Sequence, residues 1–294
     1  MLSILIPTYN YNVLPMVEQL YRQAESCNIA YEILVFDDAS ADEIQQAENQ
    51  KINQLPHCNY TILPKNIGRS AIRNLLAQKA NYDWLLFLDA DTIPVSDTFI
   101  KNYLPHLNDD EKVVYGGIKY QEEKPDTDKL LRWVYGNERE ALPAEERVEN
   151  PHLSLLTLNF AIKKTIFSKV AFNETIPNLR HEDTLFSYDL KQEFITVEHI
   201  DNAVYHLGLD TSSIFIKKSE EAVIGLKYLL DNNLLGKDYL RLTKMYYKLI
   251  KWHLKPIAAW FFGISRKTFI RNFTSTYPSM FLFDIYRLCY LCSL

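Results

Sequence analysis

The stretch LLFLDADTIP, residues 85–94, contains the residues that decide the fold. Its four apolar residues run directly into Asp89 and Asp91, with Ala90 between them. A short apolar run of this kind predicts a fully buried strand. Residues i and i+2 of a strand point to the same side, so the two carboxylates would form an oxygen site suited to Mg²⁺ or Mn²⁺. The alternative is a polar strand end with an ordinary Asp-containing turn.

Strand-like runs alternate with helical patterns on both sides of this stretch. The other runs in the first half are LSILIP (2–7), EILVFDD (32–38), YTILP (60–64) and VVYGGI (113–118). The alternation predicts an α/β fold in which a mostly parallel central sheet is flanked by helices. Ligands of such sheets bind at the carboxyl ends of the strands. We therefore expect residues 7–10, 37–38 and 89–91 to meet at one edge of the sheet.

The second half of the chain has a less regular pattern. Residues 120–150 are charged and irregular, with one short helical pattern near 130–135. Further along, LSLLTLNFAI (153–162) predicts a strand, HEDTLFSYDL (181–190) a helix and AVYHLG (203–208) another strand. After about residue 209 the pattern is helical. We therefore predict one domain over 1–210 and a helical region over 211–294.

Composition and charge narrow the classes of partner. The chain is 47% apolar and 23% charged, and its net charge of −5 argues against a nucleic-acid partner. Ten Lys or Arg and two acids lie from Gly236 onward, so this tail carries about +8 and the preceding residues about −13. The CxxC at 289–292 has no second pair, so we expect reduced thiols rather than a zinc site. No apolar run is long enough to predict a transmembrane helix, and MLSILIPTYN is expected to be a first strand rather than a signal peptide.

Two enzyme classes contain a motif like LFLDADT. An apolar run followed by DxDxT resembles the nucleophile motif of haloacid-dehalogenase-type phosphatases, and EILVFDD resembles their metal-binding strand. In those enzymes the DxD strand precedes the DD strand, whereas here Asp37 and Asp38 come well before Asp89. The order of the motifs therefore argues against a phosphatase.

A second set of motifs fits in order as well as in content. ILIPTYN, EILVFDDAS, NIGRSAIRN (66–74), LFLDADT, NFAIKKTIF, HEDTLF and VYHLG together resemble a family 2 glycosyltransferase with the GT-A fold. The resemblance covers about residues 1–207. It implies an inverting enzyme that moves one sugar from a nucleotide sugar, in the assembly of a cell-surface polysaccharide or glycolipid. A processive member would carry a downstream QxxRW motif and several membrane spans, and neither is found in this sequence.

The resemblance implies a donor site at the strand ends. Tyr9 would stack on the nucleotide base, and Asp38 or Asp37 would accept a hydrogen bond from uracil N3–H, because a carboxylate is only an acceptor. This favours UDP as the nucleotide. Arg73 would lie near the nucleotide, and Asp89 would face the ribose or a metal-bound water. The implied donor site comprises Pro7, Tyr9, Asp37, Asp38, Arg73, Asp89 and Ala90.

The resemblance also implies a metal site. Asp91 would bind the cation together with His206, which ends the strand AVYH. A neutral imidazole suits Mn²⁺ better than Mg²⁺, and either ion fits the carboxylate. His199, on the preceding strand, is the alternative histidine.

The last implied set concerns catalysis and the acceptor. Asp183, with Glu182 beside it at the start of a helix, would be the general base that deprotonates the acceptor hydroxyl. The family often has Gly before this pair, whereas this chain has His181. Asn159 and Phe160, together with His181, would lie on the acceptor side, next to a glycan or a lipid-linked sugar.

Basic residues of the tail recur at helical spacing. They would form one stripe of a single helix and are Lys237, Arg241, Lys244, Lys248, Lys251 and Lys255. With the aromatic residues around them, they predict a membrane-surface region within 237–294 and hence a cytoplasmic protein, peripheral on the inner face of the cytoplasmic membrane. The alternative is a helical subdomain docked on the catalytic domain, with its lysines in water.

Two other functions remain open at this stage. A non-catalytic module could keep the GT-A fold and bind a nucleotide or glycan without transfer, although the combination of Asp38, Asp91, Asp183 and His206 argues against it. A nucleotidyltransferase would carry a Gly-rich, basic phosphate loop after its first strand, and TYNYNVLP lacks that composition.

Overall fold

A computed structural model describes residues 1–177 and 180–294, which form two compact units. The first unit contains Met1–Tyr120, Ala141–Glu174 and Asp189–Gly208. The second contains Gln121–Glu140, Thr175–Tyr188 and Leu209–Leu294. The second unit thus begins its long final segment close to the expected boundary at 210, and it also includes two earlier segments that sequence patterns did not separate from the first domain.

The strands all belong to the first unit. In chain order they are β1 Leu2–Thr8, β2 Tyr31–Asp37, β3 Cys58–Ile62, β4 Trp84–Leu88, β5 Thr92–Pro94, β6 Lys112–Tyr115, β7 Ile118–Lys119, β8 Asn159–Lys163, β9 Thr196–His199 and β10 Val204–His206. The helices are α1 Leu14–Cys27, α2 Glu43–Asn49, α3 Arg69–Lys79, α4 Phe99–Tyr103, α5 Leu130–Arg139, α6 Ala144–Arg147, α7 Lys164–Lys169, α8 Glu182–Gln192, α9 Ser212–Asp231, α10 Arg241–Lys251, α11 Lys255–Phe273 and α12 Met280–Ser293. Short 3-10 turns add Gln50–Gln54, Leu104–His106 and Thr127–Lys129.

A seven-stranded sheet forms the centre of the first unit, in the order β3-β2-β1-β4-β8-β6-β9. Its strands pair in parallel except for β8, which runs antiparallel to both β4 and β6. The prediction of a mostly parallel sheet flanked by helices is therefore confirmed.

The apolar run of the opening stretch forms β4. Residues 85–88 are fully buried, as their composition predicts. β4 pairs with β1 on one side, where Leu2 lies opposite Trp84, and with β8 on the other. Both edges of β4 are therefore paired, and all five of its residues are buried up to its carboxyl end, where Asp89 follows.

The strand predicted over 153–162 is shorter than expected. β8 begins at Asn159, and residues 153–158 form turns and irregular chain. The ladder between β4 and β8 ends at the pair Leu88–Asn159, and one further backbone hydrogen bond, from Asp89 N to Leu158 O, lies beyond it.

A small second sheet lies next to the carboxyl end of β4. Its order is β5-β10-β7, with β10 antiparallel to β5 and parallel to β7. The register places His206 opposite Thr92. This pairing brings the end of the DADT segment next to a strand from much later in the chain.

The second unit is helical. Two clusters of buried apolar side chains hold α5 and α9 to α12 together, one around Leu226 and Tyr246 and the other around Phe273 and Phe283. Side-chain caps begin two of these helices, since Thr211 Oγ1 accepts from the backbone of α9 and Ser279 Oγ from that of α12. Over residues 1–177 and 180–294, no helix combines the length and the apolar character that a membrane span requires.

The single basic helix predicted for the tail is interrupted. α10 ends at Lys251, and α11 begins at Lys255, with Pro256 in its first turn. A proline in a helix interior lacks an N–H donor and clashes with the preceding turn, so the chain breaks before Pro256. Lys237 and Lys255 therefore lie outside α10, and the six-residue stripe was wrong.

Candidate functional site

The carboxyl ends of β1 and β2 lie side by side. Thr8 is opposite Asp37 in the sheet, and the backbone N–H of Asp38 donates to Thr8 O at 2.9 Å. This contact brings the residue after β2 next to the 7–10 turn. Tyr9 in that turn is 52% exposed, so a ligand that binds from solvent could contact its ring.

Asp38 holds the loop that begins α3. Its Oδ1 accepts from the backbone N–H of Ile67 at 2.7 Å and its Oδ2 from that of Gly68 at 3.0 Å. Gly68 has φ +85°, a conformation that favours glycine, and it is the residue before α3. The carboxylate therefore ties the end of β2 to the start of the helix that carries Arg73.

Asp37 is buried and hydrogen-bonded to other residues of the protein. It is 1% exposed, its Oδ1 accepts from Ser40 N at 2.7 Å, and its Oδ2 accepts from the Tyr60 hydroxyl. Burial, reinforced by this hydrogen bond, raises the pKa of Tyr60 and keeps the phenol a donor. Of the two alternatives for base contact, Asp38 is thus the one whose neighbours lie in the predicted site, and its role there stays a prediction.

Arg73 and Asp89, predicted separately as donor-site residues, form an ion pair. Arg73 Nη2 lies 2.6 Å from Asp89 Oδ1, and the guanidinium lies over the ring of Phe172 at 5.4 Å. The backbone carbonyl of Asp89 accepts from Thr92 N and from Thr92 Oγ1. The buried arginine and this turn together orient the segment that contains Asp89, Ala90 and Asp91.

Asp91 and His206 meet through the small sheet. Asp91 Oδ2 lies 3.3 Å from His206 Nε2, and Asp91 O accepts from Leu207 N at 2.8 Å. Gly208 leaves room for the carboxylate, since a Cβ there would lie 2.4 Å from Asp91 Oδ2. The structure therefore brings together the two residues that were predicted to share a cation.

The Asp91–His206 pair fits two ligand positions of one cation. Neighbouring ligands of an octahedral ion at about 2.1 Å are about 3.0 Å apart, close to the observed separation. Among the described residues, no group of three or more His, Cys, Asp or Glu is arranged to hold a metal ion. Ions of this class commonly take one or two protein carboxylates and complete their shell with substrate phosphates and water. The protein side of such a site would therefore be this pair, whereas the alternative, His199, has its Nε2 hydrogen-bonded to Pro151 O.

Tyr11 was missed by sequence reasoning. Burial, and then the negative charge of Asp91, raise the pKa of its phenol, which places Tyr11 close to the candidate metal pair. Gly208 was missed as well. Only their positions in the sequence could have indicated these two residues, since Tyr11 belongs to the TYNYN turn and Gly208 comes shortly after the VYH strand.

Two residues predicted on the acceptor side are in the core, which corrects that prediction. Asn159 is 0% exposed, donates to Gly117 O and Asn202 O, and accepts from the Tyr103 hydroxyl. Phe160 is also fully buried and stacks on Phe87. β8 lies between β4 and β6, and four successive residues, 159–162, are buried, so both of its faces are covered.

The candidate catalytic residues begin α8, in the second unit. His181 precedes the helix and its carbonyl accepts from Leu185 N, while Asp183 Oδ1 accepts from Thr184 N at 2.7 Å. His181 Nδ1 lies 2.9 Å from Thr184 Oγ1. Desolvation, with a smaller effect from Arg287, lowers the pKa of His181 to about 4, so this ring is neutral at pH 7. Glu182 and Asp183 thus occupy the first turn, where the helix dipole favours carboxylates.

An open cleft of the first unit lies elsewhere. It has a volume of about 970 Å³ and lies between the loop at 65–67, α3 and α7. None of the predicted site residues lines it. The candidate site is therefore defined by the strand ends rather than by this cleft.

Comparisons with known proteins identify the family of this chain. The model of Glycosyl transferase family 2 matches residues 3–171. An uncharacterized glycosyltransferase of Haemophilus influenzae is 24% identical over 201 residues, which are 66% of this chain and 72% of that protein. The chondroitin synthase of Pasteurella multocida is 29% identical over 159 residues, which are 52% of this chain but 16% of that protein.

Two solved structures show the same fold in complex with a nucleotide or a nucleotide sugar. S. aureus TarS 1–349 in complex with UDP has a TM-score of 0.50 at 18% identity, covering 76% of this chain and 65% of that one. The mannosyltransferase PcManGT of Pyrobaculum calidifontis, in complex with GDP-Man and Mn²⁺, has a TM-score of 0.57 at 13% identity, covering 99% and 85%. At these identities the likeness shows the fold. Since the family model matches more than half of the chain, this protein belongs to glycosyl transferase family 2 and is a glycosyltransferase with the GT-A fold.

Proposed function

We propose that this glycosyltransferase moves one sugar from a nucleotide sugar to a glycan or lipid-linked acceptor, with inversion at the anomeric carbon and with the help of Mn²⁺ or Mg²⁺. The observation that carries the proposal is the Asp91–His206 pair, 3.3 Å apart after β4 and at the end of β10. A nucleotide-sugar donor is further supported by structural neighbours that contain UDP, UDP-GlcNAc or GDP-Man.

The base would be held at the ends of β1 and β2. Tyr9 is exposed and can stack on a flat ring, next to Pro7. Each Asp38 oxygen already accepts one backbone N–H, and a carboxylate oxygen has two lone pairs, so Asp38 can accept one more from the base edge. Uracil N3–H satisfies this requirement and so does guanine N1–H. We favour UDP and leave the decision to a donor panel.

The diphosphate would be held on the Asp91 side of the site. A divalent cation bound by Asp91 and His206 would neutralise charge on the departing diphosphate. The guanidinium of Arg73 is paired with Asp89. Its role in the proposal is to hold the 89–91 segment in position.

The proton would move to Asp183. The acceptor hydroxyl oxygen attacks the anomeric carbon, the bond from that carbon to the diphosphate breaks, and the hydroxyl proton passes to the Asp183 carboxylate. Support comes from the local geometry, in which Thr184 N donates to Asp183 Oδ1 and the start of α8 favours a carboxylate. Glu182 adds a second negative group in the same turn.

The test measures nucleotide binding and turnover separately. A panel of UDP- and GDP-sugars is screened with Mn²⁺ for thermal stabilisation, and release of the nucleotide is then measured with the donor that binds. Asp91→Ala should weaken Mn²⁺-dependent nucleotide binding by about 10-fold or more, whereas Asp110→Ala, at an exposed loop position, should not.

Asp183→Asn should bind donor as the wild type does and lose turnover by about 10²- to 10⁴-fold. Turnover within a factor of a few of the wild type would remove Asp183 as the base. Unchanged binding in Asp91→Ala would remove the metal assignment. Donor binding without any release would favour the non-catalytic module.

A further inference from the structure

The outer faces of α10 and α11 carry a surface that glycosyl transfer does not explain. α12 packs against both helices, and most of the exposed side chains between Arg241 and Arg271 are basic or apolar. The apolar members are Trp252, Ile257, Trp260, Phe261 and Ile264. The cationic members are Arg241, Lys244, Lys248, Lys251, Lys267 and Arg271. We call these residues the basic-aromatic surface.

The apolar members on α11 lie on one face. Positions 257, 260, 261 and 264 follow helical spacing, and Trp260 and Ile264 are 66% and 61% exposed. The opposite face of α11 packs Phe262, Phe269 and Phe273 into the core of the second unit. The helix therefore has two apolar faces, of which one is already buried by the protein.

The cationic members of this surface have no acidic partner in the part of the chain that the structure describes. None of the six forms an ion pair with another residue within 1–177 or 180–294. Other cations of the same region do have internal partners, since Arg266 pairs with Glu220 and Lys237 lies over the ring of Tyr247. The structure thus separates cations that stabilise the fold from cations that face outward.

The charge of the chain points to an anionic partner. The segment from Gly236 onward carries about +8, while the rest of the chain carries about −13. An anionic surface would attract the basic-aromatic surface.

The apolar side chains decide between a lipid surface and a polar polyanion. Ile257 and Ile264 have no group that could hydrogen-bond to a sugar or a phosphate, and burial in hydrocarbon is what would stabilise them. Tryptophan is enriched where headgroups meet acyl chains, and two exposed tryptophans lie here among lysines. We propose that the basic-aromatic surface binds the headgroup region of a bilayer that contains anionic lipids, with the α11 side chains inserted and the cations at the phosphates.

The experiment uses the full chain and vesicles, without donor or acceptor, so that it is independent of the proposed function. Co-sedimentation is measured with phosphatidylcholine vesicles that contain or lack phosphatidylglycerol, at low and at high salt. The wild type should bind the anionic vesicles and lose binding as salt rises. Trp260→Ala with Ile264→Ala should lower the partition coefficient by about 10-fold or more, because the lost apolar area no longer enters the bilayer.

Matched variants separate charge from apolar area. Lys248→Gln with Lys251→Gln should lower binding to anionic vesicles by roughly 10- to 30-fold. Lys79→Gln with Lys101→Gln removes two exposed lysines from the first unit and should change little. Phe194→Ala removes a 93% exposed aromatic residue outside the surface and should also leave binding unchanged. Thermal unfolding of every variant is compared with the wild type to confirm that these exposed positions do not affect folding.

Three results would overturn the proposal. Equal binding to neutral and anionic vesicles, or no binding to either, would remove the anionic bilayer. Binding to a soluble polyanion such as dextran sulfate that is lost with the lysines and kept in the Trp260/Ile264 variant would assign the surface to a polar polymer. A concentration-dependent dimer that the Trp260/Ile264 variant abolishes would assign it to a second copy of this chain.

Discussion

Gly208→Ala tests the candidate metal pair without touching either ligand. The added methyl carbon would lie 2.4 Å from Asp91 Oδ2 and 3.2 Å from its Cγ. Ordinary contacts begin near 3.4 Å, so the carboxylate must retreat by about 1 Å. Gly208 is not among the glycines with positive φ, so an alanine adopts its backbone conformation and the contact with Asp91 is the main effect.

The displaced carboxylate changes the separation from His206. Asp91 Oδ2 would leave the position 3.3 Å from His206 Nε2, and the two atoms would no longer match neighbouring positions of one ion. Changes to groups that orient a metal ligand typically cost about 10- to 100-fold in metal affinity. We therefore expect the Mn²⁺-dependent part of nucleotide affinity to fall by about this factor, and the metal-independent part to stay unchanged.

The assay is calorimetric titration of the nucleotide with Mn²⁺ and again with EDTA. Gly263→Ala is the matched control, because a Cβ at Gly263 meets nothing within 4 Å. It should leave nucleotide binding unchanged and can raise stability by up to about 1 kcal/mol, since alanine is the better helix former. If Gly208→Ala bound the nucleotide in Mn²⁺ as tightly as the wild type does, the reasoning would be refuted. Loss of binding with and without Mn²⁺, together with a lower melting temperature, would show that Gly208 is needed for folding instead.

Three further predictions concern residues that hold the first unit together. Asn159→Ala should lower the free energy of unfolding by about 2–4 kcal/mol in urea titrations, with the KM for acceptor unchanged, because three buried hydrogen bonds are lost. Burial lowers the pKa of His199 from 6.5 to about 4. The stability contributed by the buried neutral imidazole is therefore fully present above pH 6.5, and it is lost as the pH falls from 6.5 to 4. His199→Gln should remove about 2 kcal/mol of this pH dependence, whereas the exposed His253→Asn should not. Asp38→Ala should raise the proteolytic sensitivity of residues 66–68, whose N–H groups lose their acceptor, and unchanged cleavage would contradict that role.

Local patterns predicted most of the central sheet. Buried runs such as 84–88 have a composition that fits an interior strand, and turns follow them at the expected places. The same patterns missed that β8 is short and antiparallel, because strand direction depends on which neighbours a strand finds in the sheet. The family resemblance implied that Asn159 and Phe160 lie on the acceptor side, and only the packing of β8, where both are fully buried, places them in the core.

Sequence patterns predicted the division of the chain into two units only in part. The helical segment after residue 208 was recognisable from its pattern, but Gln121–Glu140 and Thr175–Tyr188 join it through packing with helices far along the chain. Local hydrophobic periodicity predicts helices and strands, and it does not predict which distant helices pack together. The break at Pro256 was visible in the sequence, and counting only the spacing of the lysines hid it.

The residues of LLFLDADTIP by themselves determined a buried strand that ends in two carboxylates, and the order of the surrounding motifs determined the family. The different partners of those carboxylates were decided by tertiary structure. Asp89 pairs with Arg73 because α3 packs beside β1, and Asp91 faces His206 because β10 pairs with β5 in a register that puts His206 opposite Thr92. Both contacts join segments that are distant in the chain, and only sheet pairing and helix packing determine which distant residues become neighbours.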